Sequence, residues 1–222
     1  MSITLIIFDL DGTLVDSSVD ITDAINCALE SHGMGRITVR TAISLIGEGV
    51  TRLIEKLVER DPAGRGTVSK EQLLARFLDH YSVHLTDHTT VYQGVRETLE
   101  RLSAYRKAVI SNKREDLSVS VLKNLDLWRY MDLVVGSDTT SERKPSPIPI
   151  LYVLDKFGVG KGDALVVGDS NFDVEAGRAA GVRTVGVTYG YRSVDFLKDA
   201  DFIINKMEEL VAVVEGLSVA TR

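Results

Sequence analysis

The chain has 222 residues, 44% hydrophobic and 26% charged, with 26 Lys+Arg against 32 Asp+Glu and a net charge of −6. That composition is globular and excludes a largely disordered chain, while the acidic balance argues against nucleic acid as a partner, since phosphates ask for a basic face. One cysteine, Cys27, excludes a disulfide framework and any multi-cysteine metal site and suits a reducing, cytoplasmic setting.

In chain order, Ile3–Phe8 is a short β-branched and aromatic run that ends in Asp and Gly, the pattern of a buried strand. No basic stretch precedes it, so no signal peptide is expected. Apolar runs such as Leu5–Phe8 and Val211–Val214 fall far short of the ~20 residues of a membrane span, so no membrane partner is expected either. From Ser17 to about Leu85 the pattern is helical. Ile21, Ala24, Ile25, Ala28 and Leu29 share one face, as do Leu53, Ile54, Leu57 and Val58, then Leu73, Leu74, Phe77, Leu78 and Tyr81. Asp61–Val68 reads as a connector between the last two, and no strand is expected in this stretch.

Several features of this helical stretch have ordinary readings. Cys27 falls on an apolar helix face and reads as inert core. His80, His84 and His88 would stack three imidazoles on a continuous helix, but Thr86–Thr90 is poor helix material. His88 is therefore expected off the helix, and the three read as a solvated face rather than a metal site. Gly47-Glu48-Gly49 is a turn or a loop that approaches substrate. Arg52, one helical turn on, is a surface arginine or a bidentate grip for a substrate carboxylate.

After Gly94 the rhythm alternates. Val95–Leu102, Leu117–Leu125, Ile148–Phe157, Asp173–Ala180 and Met207–Val214 read as helices. Ala108–Ile110, Asp132–Val135, Ala164–Val167, Val182–Val187 and Phe202–Ile204 read as strands. Such alternation indicates a doubly wound parallel sheet covered on both faces. The glycines of Gly158-Val159-Gly160-Lys161-Gly162 precede a strand and lack the P-loop ending, so they mark a helix stop and turn.

Ligands of such sheets bind at the carboxyl ends of the strands, which singles out four loops. Asp9-Leu10-Asp11-Gly12-Thr13 places two carboxylates around a turn, and Gly168-Asp169-Ser170-Asn171-Phe172-Asp173 places two more, Asp173 in a helix first turn where it could equally cap the helix. Two acidic clusters on two strand tips make a hard, oxygen-rich site that suits Mg²⁺. Lys144 lies among Pro145, Pro147 and Pro149, which hold its loop still; Ser111-Asn112 adds a hydroxyl and an amide. Together these are the needs of phosphoryl transfer: a carboxylate nucleophile, a second carboxyl to move protons, a counter-charge and hydrogen-bond donors.

The stretch Phe8-Asp9-Leu10-Asp11-Gly12-Thr13-Leu14-Val15-Asp16-Ser17 resembles the first motif of the haloacid dehalogenase superfamily. Ser111-Asn112-Lys113, Lys144-Pro145-Ser146-Pro147 and the 168–173 stretch follow in that family's order. The resemblance implies a Rossmann-like phosphatase core, residues 1–15 and 92–222, a helical cap inserted at 16–91, and Mg²⁺ as cofactor. It also implies roles. Asp9 is nucleophile and metal ligand, Asp11 is general acid/base with its carbonyl on the metal, Ser111 bonds the phosphoryl oxygens, and Lys144 pairs with Asp9 and the phosphate. Asp169 binds the metal, Asp173 supports it, and Gly12, Thr13 and Asn112 lie around the phosphate. The presence of Asp11 sets aside the dehalogenase branch, which lacks it.

Ile46-Gly47-Glu48-Gly49, Ala176-Gly177-Arg178-Ala179-Ala180-Gly181 and Val187-Thr188-Tyr189-Gly190-Tyr191 resemble stretches of phosphoglycolate phosphatases, which implies hydrolysis of 2-phosphoglycolate through an aspartyl phosphate. Ser111 stands where Thr is commoner, and Gln93 where Pro is, and neither threatens the chemistry. Pyrophosphate, nucleotide or sugar phosphate hydrolysis and sugar phosphomutation are the alternatives within the superfamily. A phospho-acceptor receiver domain is the alternative outside it, disfavoured by chain order and length. The expected partner is a small phosphorylated metabolite; the sequence does not fix an oligomeric state.

Overall fold

The computed structural model describes residues 2–60 and 69–219, so the 61–68 connector lies outside the described residues. In chain order the elements are β1 (Leu5–Phe8), β2 (Val15–Asp16), α1 (Ser18–Glu30), α2 (Val39–Leu45), α3 (Val50–Arg60), α4 (Lys70–Tyr81) and β3 (Thr90–Val91). There follow α5 (Val95–Arg101), β4 (Arg106–Ile110), α6 (Glu115–Asn124), β5 (Leu133–Val135), α7 (Ile148–Phe157), β6 (Ala164–Gly168), α8 (Asn171–Ala180), β7 (Arg183–Val187), β8 (Phe202–Ile204) and α9 (Glu209–Val219). The contacts divide the chain into two compact units, Met1–Asp16 with Val91–Arg222, and Ser17–Thr90.

In the first unit the strands form one sheet in the order β5-β4-β1-β6-β7-β8, every pair parallel. All four residues of β1 are buried, so both faces of this central strand are covered, as the unbroken apolar run predicts. Leu5 and Ile7 pack with Ala108, Ile110 and Val166 against Ile150, Val153 and Leu154 of α7 and Ala176 and Ala180 of α8. Each Leu, Ile or Val among them contributes roughly 1.5–3 kcal/mol by leaving water. β1 lies between β4 and β6, so the chain runs out to both sides from it, which creates the crevice that doubly wound sheets use for ligands.

The boundaries differ from the pattern where polar residues open a helix. α6 starts at Glu115 rather than Leu117 and α8 at Asn171 rather than Asp173, because acidic and capping residues suit a helix N-terminus without adding to its apolar period. β2 and β3, two residues each, pair with one another and carry no readable periodicity. Tyr92 N–H bonds Leu14 O at 3.1 Å beside them.

The second unit is helical. α1 buries Ile21, Ala24, Ile25, Ala28 and Leu29, and it packs on α4, whose Leu73, Phe77 and Tyr81 are buried. α2, which the pattern does not separate out, is capped by Thr38, whose hydroxyl accepts the Thr41 N–H at 3.2 Å. Asn26 pairs both backbone groups of Ile37 and so anchors the segment before α2. Asp20 is buried on α1, and its carboxylate accepts the N–H groups of His88 and Thr89 and the Thr89 hydroxyl. Replacing Asp20 with Ala strands those donors and should cost about 1–3 kcal/mol. Urea unfolding measures the loss, and the His88 and Thr89 amides should exchange hydrogen faster than in the wild type.

Candidate active site

The four loops singled out by the strand-tip rule meet at one edge of the sheet. Asp9 continues the ladder one step past β1, its N–H bonding Val167 O of β6 at 2.9 Å. Ser111 does the same past β4, bonding Val135 O of β5 at 2.9 Å. Asp169 and Asp173 follow β6. One ligand oxygen from each of Asp9, Asp169 and Asp173 lies within 4.8 Å of the others, and all three residues are buried. The main chain then turns sharply at Gly12, where φ is +93° and a Cβ would come within 2.4 Å of the Asp169 carboxylate. Its N–H is committed to Val15 O at 2.8 Å, so Gly12 serves the shape of this loop.

Lys144 is the centre of the cluster. Its ammonium donates to Asp9 Oδ1 at 2.6 Å, to Asp173 Oδ1 at 2.6 Å and to Ile110 O at 2.7 Å, using all three N–H bonds. Its carbonyl accepts the Asn112 side-chain amide at 2.9 Å, which ties the Lys144 loop to the β4 tip. Pro149 occupies the first turn of α7, where its missing N–H leaves nothing unsatisfied. Asp173 caps its helix, as its place in the first turn allows: Oδ2 accepts the Ser170 N–H and hydroxyl at the start of α8, while Oδ1 takes the lysine, a contact the sequence did not suggest.

Burial is the largest influence on Asp9 and pushes its carboxyl up to about 7; Lys144 pulls against that shift and Asp173 adds to it. Asp169 is raised well above the usual carboxylate range by burial and by the neighbouring Asp9 and Asp173 charges. Burial disfavours the charged form of Lys144, but Asp173 and Asp9 outweigh it and hold the ammonium protonated. One ammonium is thus too little positive charge for three buried carboxylates. A set of hard carboxylate oxygens short of positive charge fits Mg²⁺. Thr13 adds a fully buried hydroxyl without a hydrogen-bond partner among the described residues, on the same loop as Asp9.

Two groups of residues escape sequence reasoning. Lys113, next to Ser111 and Asn112, reaches Asp11 Oδ1 at 2.6 Å. The segment after β7 braces the acidic loops: Tyr191 N–H bonds Asp169 Oδ2 at 2.6 Å, and the Tyr189 hydroxyl bonds Thr13 O at 2.9 Å. Gly190 passes so close that a Cβ would meet Asp169 Cβ at 2.3 Å and Gly12 O at 2.4 Å. The aromatic and Gly residues of 187–191 were visible; the backbone contact that explains them was not.

Arg52 lies on α3 in the helical unit, where its guanidinium faces Glu48, Glu55 and Glu59 at 3.7, 2.9 and 3.6 Å. Three carboxylates of its own neighbourhood already share it. His80, His84 and His88 line one cleft of that unit, about 650 Å³ in volume. One helical turn persists past α4, since His84 N–H bonds His80 O at 3.1 Å, and the two rings stack with centroids 4.4 Å apart. Stacked rings aim their nitrogens side by side rather than at one ion. His88 has left the helix, its N–H bound to Asp20.

The raised carboxyls set a sign for stability against pH. In the unfolded chain an Asp loses its proton near pH 4, whereas folded Asp9 keeps it to about 7 and Asp169 shifts the same way. Unfolding therefore releases protons between these values, and these groups make the fold less stable as pH rises through that window. In EDTA, the melting temperature should fall from pH 5 to pH 7, less steeply in Asp9→Asn, and Mg²⁺ should remove most of the fall. A flat profile in EDTA would contradict the raised carboxyls.

Residues 6–187 match the haloacid dehalogenase-like hydrolase family. Among curated proteins, the chain is 38% identical over 212 residues to a phosphoglycolate phosphatase of Chromobacterium violaceum, covering 94% of this chain and 95% of that one. It is 36% identical to a phosphoglycolate phosphatase of Aquifex aeolicus, covering 96% and 97%. Among solved structures, one from Haemophilus somnus described as a predicted phosphoglycolate phosphatase superposes with a TM-score of 0.89 at 29% identity, covering 96% of this chain and 98% of that one. A match that begins inside β1 and runs through β7 takes in every strand-tip loop of the site, and the chain belongs to the haloacid dehalogenase-like hydrolase family.

Proposed function

We propose that the protein is a Mg²⁺-dependent phosphomonoesterase that hydrolyses 2-phosphoglycolate through an aspartyl phosphate on Asp9. The observation that carries the reading is the buried Lys144 ammonium shared by Asp9 and Asp173, with Asp169 alongside. Family membership and relatives named phosphoglycolate phosphatase support the substrate. Asp9, Asp169 and the Asp11 carbonyl would hold the metal, with Asp173 supporting. Bound there, Mg²⁺ would offset the carboxylate charge and draw electron density from the phosphoryl group.

Lys144 fixes the Asp9 carboxylate through Oδ1 and favours its ionised, nucleophilic form. Asp9 attacks phosphorus, the ester P–O bond breaks, and Asp11 gives its proton to the departing alkoxide. Asp11 then takes a proton from the water that attacks the phosphoryl group, the Asp9–P bond breaks, and inorganic phosphate leaves. Ser111, Asn112 and Thr13 supply hydrogen bonds to phosphoryl oxygens as charge builds on them. The helical unit 17–90 acts as the cap, and water exclusion and substrate choice belong to it. A cytoplasmic setting follows from the single cysteine; among the described residues no helix is long and apolar enough to cross a membrane.

Asp9→Asn should lower phosphate release by ~10⁴-fold or more while melting at or above the wild-type temperature, because it removes a desolvated charge. Rapid acid quench should trap a phosphorylated protein in the wild type and none in the variant. Retained turnover would end the mechanism. Across 2-phosphoglycolate, pyrophosphate, a nucleoside monophosphate and a hexose phosphate, kcat/KM should favour the first by roughly 100-fold; a flat profile would refute the substrate and leave the chemistry standing.

A further inference from the structure

Lys144 reaches two of the three clustered carboxylates, and its donors are then all engaged. The third, Asp169, is held by main chain instead. Among the described residues the Tyr191 N–H is the one donor to its carboxylate, on Oδ2 at 2.6 Å. The neighbouring Asp9 and Asp173 charges repel that carboxylate. A side-chain donor could follow Asp169 outward; a backbone donor cannot, so the pose of Asp169 is as firm as the segment that carries Tyr191.

That segment is tied to its surroundings by Thr188 and by two phenols. Thr188 N–H bonds Ile204 O at 3.0 Å, at the end of β8. The Tyr189 hydroxyl bonds Thr13 O at 2.9 Å, and its ring packs on Tyr92 with centroids 4.9 Å apart. The Tyr191 hydroxyl bonds Asp16 Oδ1 at 3.2 Å. Both phenols therefore go to one place: Thr13, Asp16 and Tyr92 lie on the stretches where the chain leaves the first unit after Asp16 and re-enters it at Val91. These two stretches are also bonded to each other, through β2 and β3 and through Tyr92 N–H on Leu14 O.

We propose that Tyr189 and Tyr191 are positioning residues that fix the Asp169 carboxylate against the two crossing stretches, so that cation binding at Asp169 and the firmness of the crossing are coupled. Linkage makes the coupling reciprocal. A divalent cation that favours the held pose of Asp169 also favours the braced crossing, and a loosened crossing weakens the cation. Partners that hold the second oxygen of a metal-ligating carboxylate carry this kind of influence. The helical unit 17–90 is joined to the first unit through these stretches, so the same two phenols set how freely its attachment moves. This rests on the assignment of Asp169 as a metal ligand and is independent of the substrate.

The test titrates the full chain with Mg²⁺ by calorimetry and follows hydrogen exchange at the Leu14, Val15 and Tyr92 amides, which are hydrogen-bonded at the crossing. In the wild type Mg²⁺ should slow exchange there several-fold. The double variant Tyr189→Phe with Tyr191→Phe keeps both rings. It should bind Mg²⁺ about 10-fold more weakly and lose the Mg²⁺-dependent protection, and raising Mg²⁺ should restore most of its turnover. Tyr130→Phe, which removes a hydroxyl bonded to exposed Glu100, should change neither readout. A double variant that binds Mg²⁺ as tightly as the wild type, keeps the protection or merely melts earlier overturns the proposal. So does wild-type exchange at the crossing that ignores bound Mg²⁺. A wild type that binds no Mg²⁺ would instead bring down the metal reading of Asp169, and this proposal with it.

Discussion

One buried ammonium holds the site together. Lys144 joins Asp9 past β1, Ile110 at the end of β4 and Asp173 on α8, three segments that the chain visits more than 160 residues apart at the extremes. Two unit charges 4 Å apart interact by ~4 kcal/mol at an effective dielectric near 20. Asp9, Asp169 and Asp173 without the lysine would therefore repel one another and be driven further toward their protonated forms. Removing the lysine from such a buried cluster costs about 3–5 kcal/mol because the carboxylates lose their compensation. Geometry at the nucleophile and stability of the strand tips thus rest on the same three hydrogen bonds.

The lysine can do this because of how parallel strands are wired. Parallel strands all end at the same edge, and β1, flanked by β4 and β6, sits where the winding reverses. Asp9, Ser111 and Asp169 need only be the residues just past three neighbouring strands to meet. Lys144 is different, nine residues beyond the end of β5. Its loop leaves through Gly136, where a Cβ would come within 2.0 Å of the Glu115 backbone, and it is held by Asn112 on the neighbouring tip. A rigid scaffold supplies three of the four contributions, and a braced loop supplies the fourth.

What could be read from the sequence follows the same division. Strands buried on both faces show as unbroken apolar runs, and a carboxylate directly after such a run is at an active edge; Asp9 and Asp169 were legible for that reason. Lys144 was legible through its prolines. Lys113 was not, since a lysine beside a helix start looks the same whether it is solvated or clamped to Asp11. Nor was the bracing by Tyr191, which acts through its backbone N–H, or by Gly190, which acts by having no side chain. Two-residue strands such as β2 and β3 lie below any period. The histidines show the reverse case: spacing by four did stack His80 on His84, yet stacking is the wrong geometry for sharing an ion.

The charge of the site carries a last consequence. Asp9, Asp11, Asp169 and Asp173 face two ammonium groups, Lys113 and Lys144, among the described residues. Such an excess is unfavourable in a resting protein, where burial first and the Asp173 charge besides push Asp9 up to about 7, and a chain selected for stability alone would replace part of it with neutral groups. A divalent cation would bring the count to balance, and a phosphoryl dianion would then enter a site that neither repels nor over-binds it. In that state every further negative charge on the substrate needs a cation of its own.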